Sequence, residues 1–144
     1  MSRLTLPIAA DHAGFQLKED LKKALANVDW VDLGTHDASR VDYPDYADRV
    51  AKHVLERGGL GVLICGSGQG MAIRANRHKG IRAALVWSPD STRLSREHND
   101  ANVICLGARF IDIKLATTLV ELFIQTKFEG GRHSDRVKKI ERPV

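Results

Sequence analysis

The chain has 144 residues, 43% of them apolar and 28% charged, a size and balance that predict one globular domain over residues 1–144. Its apolar runs are far shorter than the ~18 to 20 residues that a membrane span needs, and its N-terminus lacks the pattern of a secretory signal. A net charge of +4, without a clustered basic stripe and with 6% aromatic residues, argues against nucleic-acid binding. We therefore expect a cytoplasmic protein with no membrane or nucleic-acid partner.

Strand-like and helix-like segments alternate along the chain with short connections, which is typical of an α/β fold with a parallel sheet. Strands are predicted for the apolar segments 4–10, 30–33, 60–65, 81–87 and 102–106. Helices are predicted at 14–27, from 44 to about 57, from about 71, from a cap at Ser88, and at 111–127. Gly130 and Gly131 then break the chain before a charged C-terminal tail helix.

Polar residues that could take part in binding or catalysis follow several of the predicted strands. Asp11 and His12 follow the first strand, and Cys65 ends the third. In doubly wound sheets ligands bind at the carboxyl ends of the strands, so these residues are expected to meet there. His98 and Asn99 lie just before the fifth strand instead. They need a partner subunit or an unusual loop path to join the same site.

The segment 65–70, with the sequence CGSGQG, carries the strongest chemical signal. Glycines at every second position let the backbone approach a ligand closely and point N–H groups at it, and the next helix adds its positive end. Such a loop can hold a phosphate or stabilise an oxyanion, and it lacks the Lys-Ser/Thr ending of a P-loop. A purely structural turn between strand and helix is the alternative.

The two cysteines occupy different sequence surroundings. Cys65 precedes the glycine loop, where N–H donors favour a thiolate, although a small residue ending a buried strand is the other interpretation. Cys105 lies inside an apolar strand and is interpreted as a core residue. Both are expected to be free thiols, because their spacing forms no metal-ligand pattern and the expected compartment is reducing.

Further polar residues could bind a substrate, and each has a second interpretation. Asp11 can contact sugar hydroxyls or cap the first helix, and the two roles are compatible. His98 can act as a general acid or merely interact with a helix dipole. Arg132 and Arg136 lie four residues apart and form either a phosphate clamp on one helical face or a solvated basic tail. His133 is grouped with the surface or tail residues.

In order and spacing, the motifs resemble those of the type B ribose-5-phosphate isomerases and the related galactose-6-phosphate isomerase subunits. The resemblance covers nearly the whole chain and rests on six segments: 10–14 (ADHAG), 42–44 (DYP), 65–70 (CGSGQG), 96–102 (REHNDAN), 107–109 (GAR) and 129–136 (EGGRHSDR). It implies a Rossmann-like three-layer sandwich with a five-stranded parallel sheet. It further implies an aldose–ketose isomerase without metal or cofactor, acting as a homodimer or tetramer with active sites shared between subunits.

The resemblance also implies a role for each site residue. Cys65 matches the base of relatives that carry cysteine here, whereas relatives without it use a glutamate on the following helix. This chain has no carboxylate at 74–76. His98 matches the residue that helps to open the sugar ring, and Ser67 one that assists proton handling. The remaining matches form the substrate-binding set: Asp11, His12, Tyr43, Gly66, Gly68, Gln69, Gly70, Asn99, Arg132 and Arg136.

The expected reaction interconverts ribose 5-phosphate and ribulose 5-phosphate. Gln69 and Ala9–Ala10 differ from residues frequent in relatives, so another tetrose, pentose, allose or galactose 6-phosphate substrate is an open alternative. A non-catalytic subunit of a heteromeric isomerase is a second alternative, against which the retained Cys65, Ser67 and His98 argue. A nucleotide- or phosphate-binding regulatory module would follow from the glycine loop alone and is the weakest interpretation.

Overall fold

A computed structural model describes residues 3–144 and contains a five-stranded sheet in which every pair of neighbouring strands is parallel. The strands lie in the order β2-β1-β3-β5-β4. Their bounds are β1 (Thr5–Ala10), β2 (Asp29–Asp32), β3 (Gly61–Cys65), β4 (Ala83–Leu85) and β5 (Val103–Gly107). The strand order reverses between β1 and β3, and a sheet of this kind opens a crevice at that point.

Helices cover both faces of the sheet, and a last helix follows at the C-terminus. Their bounds are α1 (Phe15–Ala24), α2 (Tyr43–Arg57), α3 (Gln69–Ala75), α4 (Pro89–Asn99), α5 (Ile113–Gln125) and α6 (Arg132–Glu141). The predicted three-layer α/β sandwich with a tail helix is therefore confirmed, although β4 and α1 are shorter than expected. Among residues 3–144, no helix combines the length and apolar character that crossing a bilayer requires.

The strand side chains alternate between two cores, one on each face of the sheet. Ile8, Ile64 and Leu106 pack with α1 and α5, whereas Leu63 and Cys105 pack with α2 and α3. The burial of Cys105 confirms its interpretation as a core residue. This burial, together with the nearby Cys65, raises the pKa of the Cys105 thiol well above its ordinary value.

The inner face of α1 carries a buried lysine beside its apolar residues. Lys18 is fully buried, and its Nζ lies 2.6 Å from Asp32 Oδ2 and 2.9 Å from Glu19 Oε1. Lys22 reaches the same Asp32 oxygen at 2.6 Å. Burial opposes the ionisation of Asp32, but hydrogen bonds from both lysines and from the Gly34 N–H prevail and lower its pKa to about 2. These ion pairs tie α1 to the end of β2.

The predicted helix start at Ser88 is confirmed. Ser88 Oγ accepts a hydrogen bond from the Ser91 N–H at 3.1 Å, and the Ser91 hydroxyl oxygen accepts one from the Ser88 N–H at 3.1 Å. This reciprocal arrangement satisfies backbone donors that the first turn of a helix leaves free, and Pro89 follows in the first turn. The start of α4 is thereby held at the carboxyl end of β4.

Candidate active site

The glycine loop, residues 66–70, follows β3 at the carboxyl edge of the sheet and includes the first two residues of α3. Gly68 has a φ of 77°, a left-handed conformation that favours glycine. A Cβ atom on Gly68 would lie 2.6 Å from the Leu85 side chain. One on Gly107 of β5 would lie 2.6 Å from the Ser67 carbonyl oxygen. Glycine at both positions is what allows the loop to pack closely against β4 and β5.

Cys65 ends β3 and lies beneath this loop with 4% of its surface exposed. Its Sγ accepts a hydrogen bond from the Gly68 N–H at 3.2 Å. Next to it, Ser67 Oγ accepts one from the Gln69 N–H at 3.3 Å, which leaves the serine hydroxyl proton available for another acceptor. The Cys65 sulfur is thereby fixed against the backbone of the loop that follows it.

Two side chains from other elements border the glycine loop. The Tyr43 ring packs on Gly70 so closely that a Cβ there would lie 2.4 Å from the ring. The Arg109 guanidinium lies over Gly66, where a Cβ would lie 3.0 Å from its Cζ. Tyr43 was predicted as a site residue, but Arg109 was not. The available signal was its position directly after β5, at the same edge of the sheet.

Asp11 and His12 follow β1 next to the end of β3. Asp11 is buried, its N–H donates to the Ile64 carbonyl at 3.2 Å, and its Oδ1 accepts from the Gly14 N–H at 3.0 Å. The carboxylate therefore stabilises the turn before α1, but the N-cap position is Gly14 and no side chain caps the helix, so the capping interpretation of Asp11 is wrong. His12 Nδ1 accepts from the Val41 N–H at 3.2 Å, so the neutral ring carries its proton on Nε2.

A second group of predicted site residues lies at the opposite, amino edge of the sheet. Helix α4 starts at the carboxyl end of β4 and runs back for 11 residues, so His98 and Asn99 lie beside the strand starts. Arg82, which precedes β4, donates to the Asn99 carbonyl at 3.1 Å. The chain before α6 joins this edge, where the Glu129 N–H donates to the Glu97 carbonyl at 3.1 Å.

The rings of His98 and His133 stack at this edge, with centroids 4.2 Å apart and planes 15° from parallel. His133 is 4% exposed, so its interpretation as a surface or tail residue is wrong. Burial, together with the neighbouring His98, lowers the pKa of His133. Arg132 and Arg136 flank it one turn apart on α6, and both are exposed. Both arginines lie on α6 four residues apart and so share one face of the helix, while their role as a phosphate clamp stays a prediction.

Within one chain, the two groups are separated by the sheet. Cys65 lies at the carboxyl end of β3, and His98 lies beside the amino ends of the neighbouring strands. A strand as long as β3, with five residues, spans about 16 Å, far beyond the reach of one hydrogen bond. One edge thus gathers Asp11, His12, Tyr43 and residues 65–70, and the other gathers His98, Asn99, Arg132 and Arg136.

The helix after the glycine loop offers no carboxylate that could replace Cys65 as a base, since α3 reads QGMAIRA. The carboxylate of Asp48 approaches α3 from α2. Arg74 donates to both of its oxygens, at 2.8 and 3.0 Å, and His78 Nε2 lies 2.7 Å from one of them. The hydrogen bond from Arg74 lowers the pKa of Asp48, which makes it a weak base.

Proteins of known activity resemble the chain over almost its whole length. The Ribose/Galactose Isomerase family model matches residues 6–140. The ribose-5-phosphate isomerase B of Escherichia coli K12 is 42% identical over 140 residues, covering 94% of this chain and 93% of that protein. The crystal structure of a ribose 5-phosphate isomerase from Thermotoga maritima has a TM-score of 0.94 and 45% identity, covering 97% of this chain and 99% of its own. Ribose-5-phosphate isomerase B from Mycoplasma genitalium, solved with bound ribulose-5-phosphate, has a TM-score of 0.91 and 40% identity, covering 99% and 97%. The chain therefore belongs to the ribose/galactose isomerase family.

Proposed function

We propose that this chain is an aldose–ketose isomerase that interconverts ribose 5-phosphate and ribulose 5-phosphate. Family membership supports the reaction type, and the names of the relatives together with the ribulose-5-phosphate bound to one of them support the substrate. These relatives favour ribose 5-phosphate over another sugar phosphate and over a non-catalytic subunit. The observation that carries the proposal is the hydrogen bond from the Gly68 N–H to Cys65 Sγ, which stabilises a base at the mouth of an oxyanion-binding loop.

Cys65 acts as the base on the open-chain sugar. Its thiolate takes the proton from C2. The electron pair of that C–H bond forms a double bond to C1, the carbonyl π pair moves to the C1 oxygen, and the intermediate is an enediolate. The thiol then returns a proton to C1, so the aldose is oxidised at C2 and reduced at C1 with no outside reductant. Fixed N–H donors at the oxyanion contribute ~10² to 10³-fold and a placed base ~10² to 10⁴-fold. Ser67, whose hydroxyl proton is free to donate, moves a proton between the two oxygens.

Ring opening comes first, because only the open-chain aldose has a carbonyl group. His98 of the partner subunit supplies the acid and base for this step, and its ring is held in place by the stack on His133. In the proposed dimer Arg132 and Arg136 come from the same subunit as His98 and hold the phosphate with their forked donors, while the His12 Nε2–H of the subunit that supplies Cys65 adds a further donor. Fixing the phosphate at one end positions C1 and C2 at the thiolate.

The separation of Cys65 from His98 supports a homodimer as the smallest active unit, and a tetramer of such dimers would serve equally well. Two large aromatic side chains next to the glycine loop are exposed: Trp87 after β4 by 63% and Phe110 after β5 by 73%. Exposed aromatic groups of this kind typically mark an interaction surface. A second copy that covers them would bring its amino-edge residues towards Cys65.

We also propose a cytoplasmic location. Both cysteines are free and buried in the structure. Free thiols persist in a reducing compartment, whereas oxidising compartments favour disulfides. Fractionation of cells that express the untagged chain, with activity assayed in each fraction, is the direct test.

Exchange of the C2 proton with solvent tests the proposed base. Cys65→Ala should reduce turnover of ribose 5-phosphate, and exchange of deuterium from D₂O into C2, by at least about 10² to 10⁴-fold. The fold should survive, because alanine fits the space of the thiol. Cys105→Ala is the matched control: it removes the other buried thiol and should keep its activity per folded molecule. Undiminished exchange in Cys65→Ala would exclude Cys65 as the base.

A further inference from the structure

A cluster of three potential metal ligands lies at the amino edge of the sheet. One ligand atom each from His98, Glu129 and His133 lies within 4.8 Å of the other two. His133 Nε2 is buried, and among residues 3–144 it has no hydrogen-bond partner. Its nearest carboxylate oxygen, on Glu129, lies 3.7 Å away, beyond hydrogen-bond distance. A buried nitrogen without a partner costs free energy, and it points to a group that binds there.

We propose that His98, Glu129 and His133 bind a divalent transition-metal ion of the Zn²⁺ type, and that the bound ion inhibits the isomerase. Two imidazoles and one carboxylate are a donor set that Zn²⁺ binds tetrahedrally, with water or a substrate oxygen in the fourth position. Ligand atoms at about 2.0 Å from such an ion lie about 3.4 Å from each other. The three ligand atoms close onto the ion by moving about 1 Å each, and the His98 ring turns out of its near-parallel stack on His133, because the in-plane lone pairs of stacked rings do not converge on one ion.

The surrounding structure allows this closure. The Glu129 side chain is 49% exposed, so a change of its rotamer towards the ion meets little packing, while its backbone is held by the N–H bond to the Glu97 carbonyl at 3.1 Å. His133 is 4% exposed, so its Nε2, which has no partner within the described residues, is shielded from solvent that could otherwise satisfy it. Arg132 and Arg136 on the same helix both repel a cation at this site, but both are exposed, so solvent and salt screen that repulsion.

Inhibition follows from the identity of one ligand and rests on the proposed function of His98. A metal ion takes the lone pair of a ring nitrogen of His98, which then neither accepts nor releases a proton in ring opening. The ion also pulls the imidazole towards Glu129 and away from the sugar. Metal binding itself does not depend on the proposed function and is measured separately.

Binding is measured by isothermal titration calorimetry with ZnCl₂ and with NiCl₂ on the metal-stripped full chain. The Cys65→Ala background removes the thiol nearest the loop as a competing ligand. We expect one ion per chain, and Glu129→Gln in the same background should weaken Kd at least about tenfold, since even indirect ligand partners contribute 10 to 100-fold. Glu121→Gln on the exposed face of α5 is the matched control and should bind as tightly as the background. Absence of stoichiometric binding, or an unchanged Kd in Glu129→Gln, overturns the proposal.

Inhibition is measured on the chain that retains Cys65, with ribose 5-phosphate as substrate. We expect Zn²⁺ and Ni²⁺ to inhibit, EDTA to restore activity, and Glu129→Gln to keep its basal turnover while needing at least about tenfold more metal. Equal inhibition of Glu129→Gln would mean that the metal inhibits by binding at Cys65, and it would overturn the proposal. Stoichiometric binding without inhibition would overturn it as well. An enzyme that turns over no sugar phosphate would refute the proposed function, while calorimetry would still decide the metal site.

Discussion

Cys65 and Cys105 show how neighbouring groups, more than burial, give a residue its chemistry. Both thiols are buried. Cys105 lies among apolar side chains, and its raised pKa keeps it protonated. Cys65 is 4% exposed but receives an N–H donor from the loop that follows it. The donor makes Cys65 the candidate base, and Arg74 weakens Asp48 as a competitor.

The glycine at position 107 controls the position of the loop, so Gly107→Ala should impair catalysis. The new Cβ would meet the Ser67 backbone at 2.6 Å and push the loop away from Cys65. We expect a loss of about 1 to 3 kcal/mol in unfolding free energy and a fall of about 10²-fold in kcat/KM. Steady-state kinetics and urea unfolding measure the two effects.

Gly61→Ala separates these two effects. Gly61 lies at the other end of β3, where a new Cβ would meet the Val50 side chain at 2.6 Å. This variant should lose a similar amount of stability but keep kcat/KM per folded molecule. If the two variants lost activity equally, overall destabilisation and not loop displacement would be the cause.

Asp32 makes stability depend on acid pH. Its pKa is lowered from 3.8 to about 2, so its ionisation stabilises the fold above about pH 4, and that contribution is lost as the pH falls to about 2. Asp32→Asn should therefore flatten the loss of unfolding free energy between those pH values. At neutral pH Asp32→Asn should lower the unfolding free energy by less than the ~3 to 5 kcal/mol that removal of one partner of a buried ion pair costs, because Glu19 still neutralises Lys18.

Urea unfolding at a series of pH values measures this dependence. Asp20→Asn is the control, since Asp20 lies on α1 with Lys18 and Lys22 and accepts a hydrogen bond only from the Gln16 amide among its side-chain contacts in residues 3–144. An acid transition identical in Asp32→Asn and the parent chain would show that another carboxylate causes it.

At the level of elements, α4 and α6 carry the second half of the site, and the end of α6 is anchored by one glutamate. Glu141 Oε1 lies 2.6 Å from Arg82 Nη1, and its other oxygen accepts from the Gly80 N–H at 3.1 Å. The helix buries only His133 among its ten residues, so packing alone holds it weakly. Loss of this anchor should therefore loosen the whole helix.

Glu141→Ala should loosen α6 without unfolding the sheet. We expect faster amide hydrogen exchange over 132–141 and a KM raised about 5 to 30-fold, equivalent to about 1 to 2 kcal/mol, because Arg132 and Arg136 lose their fixed positions. Glu121→Ala, on an exposed position of α5, should leave both quantities unchanged. Unchanged exchange in α6 would mean that other contacts anchor the helix.

At the level of the whole molecule, the sheet itself divides the site. Because helices in a parallel α/β fold run antiparallel to the strands, a residue at the end of a helix lies at the edge opposite a residue that ends a strand. Cys65 is of the second kind and His98 of the first. A single chain therefore holds the two groups of predicted site residues apart, and the proposed dimer joins one group from each chain into a complete site.

Mixing two inactive variants tests whether the sites are shared. Cys65→Ala and His98→Asn should each be inactive alone, yet random mixed dimers have one site with both native residues and should recover about a quarter of the parental activity. The chains are mixed by refolding together, and turnover is compared with each variant refolded alone. No recovery, with mixed dimers verified by mass spectrometry of differently tagged chains, would place Cys65 and His98 of each site in the same subunit.

Local patterns in the sequence were sufficient to predict the helices and strands and the group of site residues at the carboxyl edge of the sheet. The alternation of apolar strands and helices, the cap at Ser88 and the glycines of 65–70 are set by interactions within a few residues. The carboxyl-edge rule then groups Asp11, His12 and Cys65 correctly, since it depends on strand direction alone. The resemblance to a known family supplied the roles, which no local pattern contains.

Long-range packing decided the rest of the site. The burial of His133 and its stack on His98 join residues 35 positions apart. Likewise, Arg109 covers Gly66, and Lys18 finds its partner Asp32, through contacts between separate elements. Such contacts depend on which elements the fold places side by side, and their sequence positions carry no periodic signal. The sequence thus determined which residues could do chemistry, and the tertiary structure decided which of them meet, because only the packed sheet and helices set distances between residues far apart in the chain.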